Sequence, residues 1–295
     1  MAFEKQNLNY AKEYSQALAQ AYPYVLYFGA LWSAVKPDVK FLNNNTVILP
    51  SLSVKGRGNG DRDTIGSFSR NFNNAEETKV LKTHRTWDTL IHPRDIDETN
   101  HVASITNITR VMNEEQKFPE MDAEMITALY KLKNEQEAVI ADDVLTVTNV
   151  LTKFDALMDK MDEARVPAAG RLLYADTYTK TLIDTAKEAA RNLIARSLDR
   201  IGEVEVIGVP TSAMKSAYTF KETDGFEVAA GAKDVKMLLV HPSAVIPVIA
   251  YDFAELGAPS SLSKGKWTYF EESFEDVFIF NKKHAGIQFY IEKSA

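Results

Sequence analysis

The sequence contains no cysteine among its 295 residues. Disulfides, thiolate catalysis and cysteine-built zinc sites are therefore excluded, and a reducing compartment fits the chain. No apolar run approaches the ~20 residues that a membrane helix needs, so no membrane partner is expected. Met1 to Tyr10 lacks a basic start followed by an apolar stretch, so no signal peptide is expected. Without secretion, Asn44-Asn45-Thr46 and Asn107-Ile108-Thr109 read as chance matches to the glycosylation pattern. A basic excess is missing too. The chain has 34 Lys and Arg against 41 Asp and Glu, a net charge of −7. A protein whose main task is gripping nucleic acid usually runs basic. What is present, 45% hydrophobic and 25% charged residues, is the composition of an ordinary folded protein. A chain of this length buries a large core without staples and spans about two domains.

Catalytic and cofactor motifs are also absent. Gly56-Arg57-Gly58-Asn59-Gly60 has the wrong spacing for a dinucleotide fingerprint and runs into Asp61-Arg62-Asp63 rather than an apolar helix start. Gly265-Lys266 lacks the upstream glycine of a P-loop. Ser261-Leu262-Ser263-Lys264 fits Ser-x-x-Lys, but its companion motifs and Gly-x-Ser-x-Gly do not occur, so a polar loop is expected. His84, His92, His101, His241 and His284 form no close metal pairing. Asp142-Asp143 suits a helix N-terminus, and Glu271-Glu272 reads as solvated. No active site, metal or cofactor is expected.

Charge is uneven along the chain. Ile96 to Arg165 holds fifteen acidic and seven basic residues, a net of −8, whereas Ser51 to Asp95 carries +2. The acidic segment reads as a solvated helical face, or as a surface that must not stick to a polyanion.

Periodicity sketches the elements. The first 34 residues read as helical, with Tyr10, Tyr14, Leu18 and Tyr22 on one stripe that Pro23 ends. Tyr24 to Phe28 is either core or an arm docking on a neighbour, with core slightly favoured. Residues 45–54 read as a strand, and Pro50 marks an edge. A glycine-rich polar tip extends from Lys55 to about Lys79, and Thr78 to Ile91 reads as the return strand. The three together predict a long projecting hairpin that needs a partner surface. Ile105, Ile108, Met112, Met121, Met125, Leu129 and Leu132 predict a long helix that Pro119 either kinks or divides. Thr146–Arg165 and Thr177–Leu198 read as helices. Arg171–Tyr174, Glu203–Val209 and Val235–Val240 read as strands, and Val277–Phe280 with Ile287–Ile291 as a closing hairpin. The expected class is α+β, with no internal repeat.

Four stretches carry a resemblance: Asn7-Leu8-Asn9-Tyr10-Ala11, Asp61-Arg62-Asp63-Thr64-Ile65-Gly66, residues 113–122 (NEEQKFPEMD) and residues 271–278 (EESFEDVF). Together with the order of elements they make the chain resemble the major capsid proteins of tailed bacteriophages, the Hong Kong 97-type fold. The resemblance implies an N-arm (residues 1–40) and an extended hairpin loop (41–95). It implies a peripheral domain with a long spine helix (96–140 and 251–295) and an axial domain (141–250). It implies a non-enzymatic structural protein that assembles through pentamers and hexamers into a virion head around double-stranded DNA, inside the bacterial host cytoplasm. Implied partners are further copies of the chain, a portal protein and DNA by non-specific proximity. The family's scaffold-like leader has no room before residue 45, so a separate scaffolding protein is expected, or else the chain is a cleaved mature form. No Lys–Asn cross-link is expected. Lys55, Arg57, Asp61, Arg62 and Arg70 are the expected inter-subunit contacts, with the cations pairing neighbouring carboxylates. An encapsulin-like compartment of the same fold and a soluble hydrolase remain as alternatives.

Overall fold

The structure is a computed structural model that describes residues 24–34, 40–43, 46–57, 70–98, 104–191, 200–201, 204–221 and 225–293. The helix expected before Pro23 and residues 58–69 of the expected polar tip lie outside the described residues.

In chain order, the short helix α1 (Gly29–Trp32) precedes strands β1 (Lys40–Asn43), β2 (Thr46–Val54), β3 (Phe72–Val80) and β4 (His84–Ile91). Helices α2 (Pro93–Glu98), α3 (Ile105–Met112), α4 (Phe118–Gln136) and α5 (Val150–Glu163) come next. Then follow β5 (Leu172–Asp176), α6 (Thr177–Arg191), β6 (Arg200–Ile201), β7 (Val204–Val209), β8 (Tyr218–Phe220) and β9 (Phe226–Val228). The chain closes with β10 (Val235–Val240), β11 (Val245–Gly257), β12 (Trp267–Ile279) and β13 (Ile287–Ile291).

The body is a five-stranded sheet in the order β13-β10-β5-β7-β6. Only β5 and β7 run parallel, joined through α6 as a crossover unit. Both faces are covered, which explains why β10 and β13 are nearly continuous apolar runs. Leu173, Ala175, Met237, Leu239 and Tyr290 pack against Val150, Phe154, Leu157 and Met161 of α5 and Ile183 of α6. The alternate residues Tyr174, Leu238, Val240 and Phe289 face Met125, Ile126 and Leu129 of α4, together with Phe28, Leu31 and Trp32. Tyr24 to Phe28 thus leads into core, as the apolar reading favoured.

The long helix is one rod. Helices α3 and α4 are joined by a π-helical turn over Asn113–Lys117 with helical backbone throughout. Pro119 lies just after the π turn, whose wider hydrogen bonds already interrupt the regular ladder, so its missing N–H and its ring are accommodated there. The acidic segment is only partly solvated: Asp122 and Glu124 of α4 are buried.

Two expected pairings are wrong. The return strand from Thr78 to Ile91 is two strands in different sheets. Strand β3 pairs with β2, Val54 opposite Phe72, whereas β4 pairs with β12. Residues 72–79 form a strand despite their polarity because neither face of the outer hairpin is buried, so pairing needs no apolar alternation. The closing hairpin does not form either. Val277–Ile279 ends β12, which pairs with β11, and the turn Asn281–Gly286 carries the chain into the other sheet, where β13 pairs with β10. Among the described residues β1 pairs β2 only up to Ile48, and Pro50 has one strand partner, Glu76, as an edge position would.

Leu129→Ala is expected to destabilise the chain by about 2–5 kcal/mol, because its side chain is wholly buried between helix and sheet. Val54→Ala on the hairpin is expected to stay within about 0.5 kcal/mol. Urea midpoints at constant slope check both.

Candidate functional site

The hairpin β2–β3 has a buried root and a bare tip. Val47 and Leu49 pack with Leu81, Ile246, Val248 and Phe278. The root is also held by polar contacts to the turn at Asn281–Gly286. Lys79 Nζ donates to Asn281 Oδ1 at 3.0 Å, Asn281 N donates to Glu77 Oε2 at 3.3 Å, and Lys282 Nζ donates to the Leu52 carbonyl at 3.3 Å. Strand register puts Ile48, Pro50, Leu52 and Val54 on the opposite face, with Val80 and Phe72 beside them. Leu52, Val54 and Phe72 are 61%, 69% and 54% exposed, so the tip carries an uncovered apolar strip.

Three of the five sequence-predicted contact residues frame that strip. Lys55 continues the ladder by donating its N–H to the Asn71 carbonyl at 2.8 Å. Arg57 is exposed two residues further on. Arg70 lies over the Phe72 ring, 6.0 Å from its centroid, and Nη2 donates to Asn73 Oδ1 at 3.4 Å. Among the described residues none of the three has a carboxylate partner. Asp61 and Arg62 lie outside the described residues.

A second open surface is the outer face of the sheet β11-β12-β4, which sequence reading missed. His84, Thr86, Asp88 and Leu90 alternate outward, alongside Phe253, Glu255, Phe270 and Glu272. The Phe253 and Phe270 rings sit 6.3 Å apart, and His84 stacks on Phe274 at 4.0 Å while its Nε2 meets Glu272 Oε1 at 2.8 Å. This face mixes Phe253, Phe270 and Leu90 with Asp88, Glu255 and Glu272, opposite in charge to the hairpin tip. In sequence, residues 84–91 read only as part of the return strand, with Trp87, Leu90 and Ile91 among polar groups, and carry no signal that one face stays open.

The root of the N-terminal segment is fixed by one carboxylate. Asp122 receives the Tyr24 hydroxyl at 2.9 Å, Tyr27 N at 2.9 Å and Phe28 N at 3.0 Å. Burial pushes its carboxyl up to about 6, against the pull of these three donors. Position 122 was not singled out from sequence, where it is one acid in an acidic helix.

The other titratable candidates have structural roles. His92 and His241 accept backbone N–H groups two residues on, and His284 Nδ1 is 2.7 Å from the Asn281 carbonyl. Desolvation lowers His241 from its ordinary value. Asp142 and Asp143 precede α5 rather than begin it, and Lys153 bridges both at 2.9 and 3.5 Å. Glu271 is not solvated but paired with Lys117. Ser261 and Lys264 are exposed on the turn between β11 and β12, where Lys264 and Gly265 take positive φ. Among the described residues no group of three or more His, Asp or Glu is placed to hold a metal ion, and no helix is long and apolar enough to cross a membrane.

Asp122→Ala is expected to orphan two backbone donors and to destabilise by about 1–3 kcal/mol for each. Hydrogen exchange should show loss of protection at Tyr27 and Phe28 with β10 unaffected.

No family model matches the sequence, and no curated protein matches it. Solved structures do match. The chain aligns over 97% of its length, and 93% of the other chain, with the capsid structure of cyanophage P-SCSP1u, at 11% identity and a TM-score of 0.71. The mature capsid of bacteriophage PhiM1 gives the same coverages and identity at 0.68. The capsid of Ralstonia phage GP4 covers 97% and 95% at 9% identity and 0.61. At such identities the likeness is one of fold, and the fold of this α+β chain is that of bacteriophage capsid structures.

Proposed function

We propose that the chain is the major capsid protein of a tailed bacteriophage, a non-enzymatic shell subunit. The observation that carries the reading is the fold likeness to phage capsids over nearly the whole length of both chains. A hairpin with an uncovered apolar and basic tip supports it, because such an element is marginal alone and needs a neighbour. The Hong Kong 97-type parts are assigned as N-arm 1–40, extended loop 41–95, peripheral domain 96–140 and 251–295, and axial domain 141–250. Strand pairing argues for two adjustments: β13 sits with the axial sheet, and β4 with the peripheral strands.

In this reading copies meet head to tail, the hairpin of one on another surface of the next. Such heterologous contacts close into rings, here pentamers and hexamers, and then into a shell around double-stranded DNA. Lys55, Arg57, Arg62 and Arg70 pair with carboxylates of the adjacent copy, and the acidic outer face with Asp88, Glu255 and Glu272 is the matching surface. Asp61 belongs to the same contact. A separate scaffolding protein and a portal protein are the further partners, and the shell assembles in the bacterial cytoplasm.

Purified protein, alone and coexpressed with a scaffolding candidate, is expected to give pentamers, hexamers, tubes or closed shells by sedimentation velocity and negative-stain microscopy. A monomer or dimer under both conditions overturns the reading. Joint reversal of Arg57 and Arg62 to Glu is expected to abolish assembly at low salt. Intact assembly across a wide salt range removes those residues from the contact.

A further inference from the structure

We propose that the hairpin tip of one copy joins the next copy by strand addition, the open edge at Ser51–Lys55 pairing with the open edge of β11 at Asp252–Gly257. The inference rests on the shell reading above and names the backbone contact through which two copies meet.

Both edges are open among the described residues. Strand β11 pairs only with β12. Its register shifts between Ile249 and Tyr251, then runs unbroken from Tyr251 opposite Phe274 to Gly257 opposite Thr268. Val245 to Val248 are buried, whereas Asp252 to Leu256 are all exposed. Strand β2 pairs with β1 only up to Ile48, and Pro50 has no N–H to offer, so its usable edge begins at Ser51. An exposed edge presents a row of backbone donors and acceptors, a template for another strand. Charge selects between the two candidate partners. Asp252 and Glu255 oppose pairing of β11 with the same strand of a second copy, and Lys55 with Arg57 does so for the hairpin edge. The mixed pair brings opposite signs together.

The side-chain alternation of the two edges also matches. An added strand places its side chains on the same two faces as the strand it joins. Leu52, Val54 and Phe72 share one face of the hairpin with Arg70, whose guanidinium lies over the Phe72 ring. Phe253, Glu255 and Phe270 share the outer face of the sheet. Side by side, Leu52 and Val54 extend the Phe253–Phe270 pair, and Arg70 lies on the face that holds Glu255. Lys55 then falls on the other face, where β11 carries Asp252. Among the described residues Asp252 and Glu255 have no cation partner, and Lys55 and Arg70 have no carboxylate partner. The opposite parity sets Ser51 and Ser53 against the Phe253–Phe270 pair and leaves those rings uncovered. Pairing also gives the two-stranded ribbon the third strand that it lacks alone.

The chain has no cysteine, so engineered pairs report without background. Facing Cβ atoms on neighbouring strands lie ~4.5–5.5 Å apart, close to what a disulfide spans, while sheets packed face to face stand ~10 Å apart. Leu52→Cys or Val54→Cys, combined in turn with Phe253→Cys and Glu255→Cys, is expected to give disulfide-linked ladders from assembled shells on non-reducing gels. Ser53→Cys with the same two positions is expected to give none, because it lies on the other face. In wild-type shells the amides of 252–257 are expected to exchange about tenfold more slowly than in the unassembled chain, with β10 unchanged. If the cysteine pairs hinder assembly, exchange in wild-type shells decides alone. Shells that leave 252–257 unprotected, or cross-links indifferent to the parity of the β2 position, overturn the strand addition and leave the shell reading in place. A chain that never assembles, with or without a scaffolding protein, overturns both.

Discussion

The packing of one helix face on one sheet face organises the molecule. Met125, Ile126 and Leu129 of α4 lie against Leu238, Val240 and Phe289, with Phe28 and Trp32 filling the same layer. Burying side chains of this kind contributes ~1.5–3 kcal/mol each and sets no direction. The remaining sides of the helix supply direction through polar contacts. Asp122 takes the N-terminal segment, Thr127 Oγ1 receives the Tyr218 N–H at 3.2 Å, and Lys117 and Glu120 reach the β12 and β4 strands. Arg85 adds a further link, donating to the Lys221 and Gly225 carbonyls beside β8 and β9. An apolar body fixed by area thus holds its attachments by a few directional bonds.

That division decides where the chain is complete and where it is not. The five-stranded sheet is covered on both faces and joins no further strand at its centre. The hairpin β2–β3 is covered only as far as Leu49 on one face. Beyond that point both faces are in solvent, and a two-stranded ribbon in water is at best marginally stable. Among the described residues Lys55, Arg57 and Arg70 have no acidic partner, and Arg70 lies over the Phe72 ring. The basic hairpin tip and the acidic residues of the outer sheet face are opposite in charge, and the proposed contact between copies rests on that complement.

The body was readable in the sequence because burial on both faces writes itself as apolar runs. Residues 235–240 and 287–291 are such runs, and 150–161 shows clean helical spacing. Partners were less readable than elements. Val277–Ile279 and Ile287–Ile291 are two apolar segments flanking a polar turn, which is how a hairpin reads, yet each belongs to a different sheet. Nothing local distinguishes a turn from a crossing of that length. Residues 72–79 failed for the opposite reason: an unburied strand has no pattern to show. The exposed cations at 55, 57 and 70 were legible as charge in a polar, glycine-bearing stretch. The outer sheet face and the buried carboxylates were not, because a glutamate on a strand reads as solvated until the helix above it is known.

Polar attachment also has a mechanical consequence. Apolar layers packed at interior density resist sliding, since any displacement opens voids. A layer of carboxylates, lysines and hydroxyls tolerates displacement better, because ion pairs exchange partners and water enters without leaving cavities. In this chain the β11-β12-β4 sheet is tied to the body through Val245, Val277 and Ile279, which share one apolar layer with Met125, Ile126 and Leu129 of α4, and to the hairpin root through Val47, Leu49, Ile246 and Phe278. Along the same strand the contact passes from this apolar layer to buried Glu271 and Glu275, which face Lys117, Glu120 and Glu124, so one sheet is held to one helix by area at one end and by polar contacts at the other.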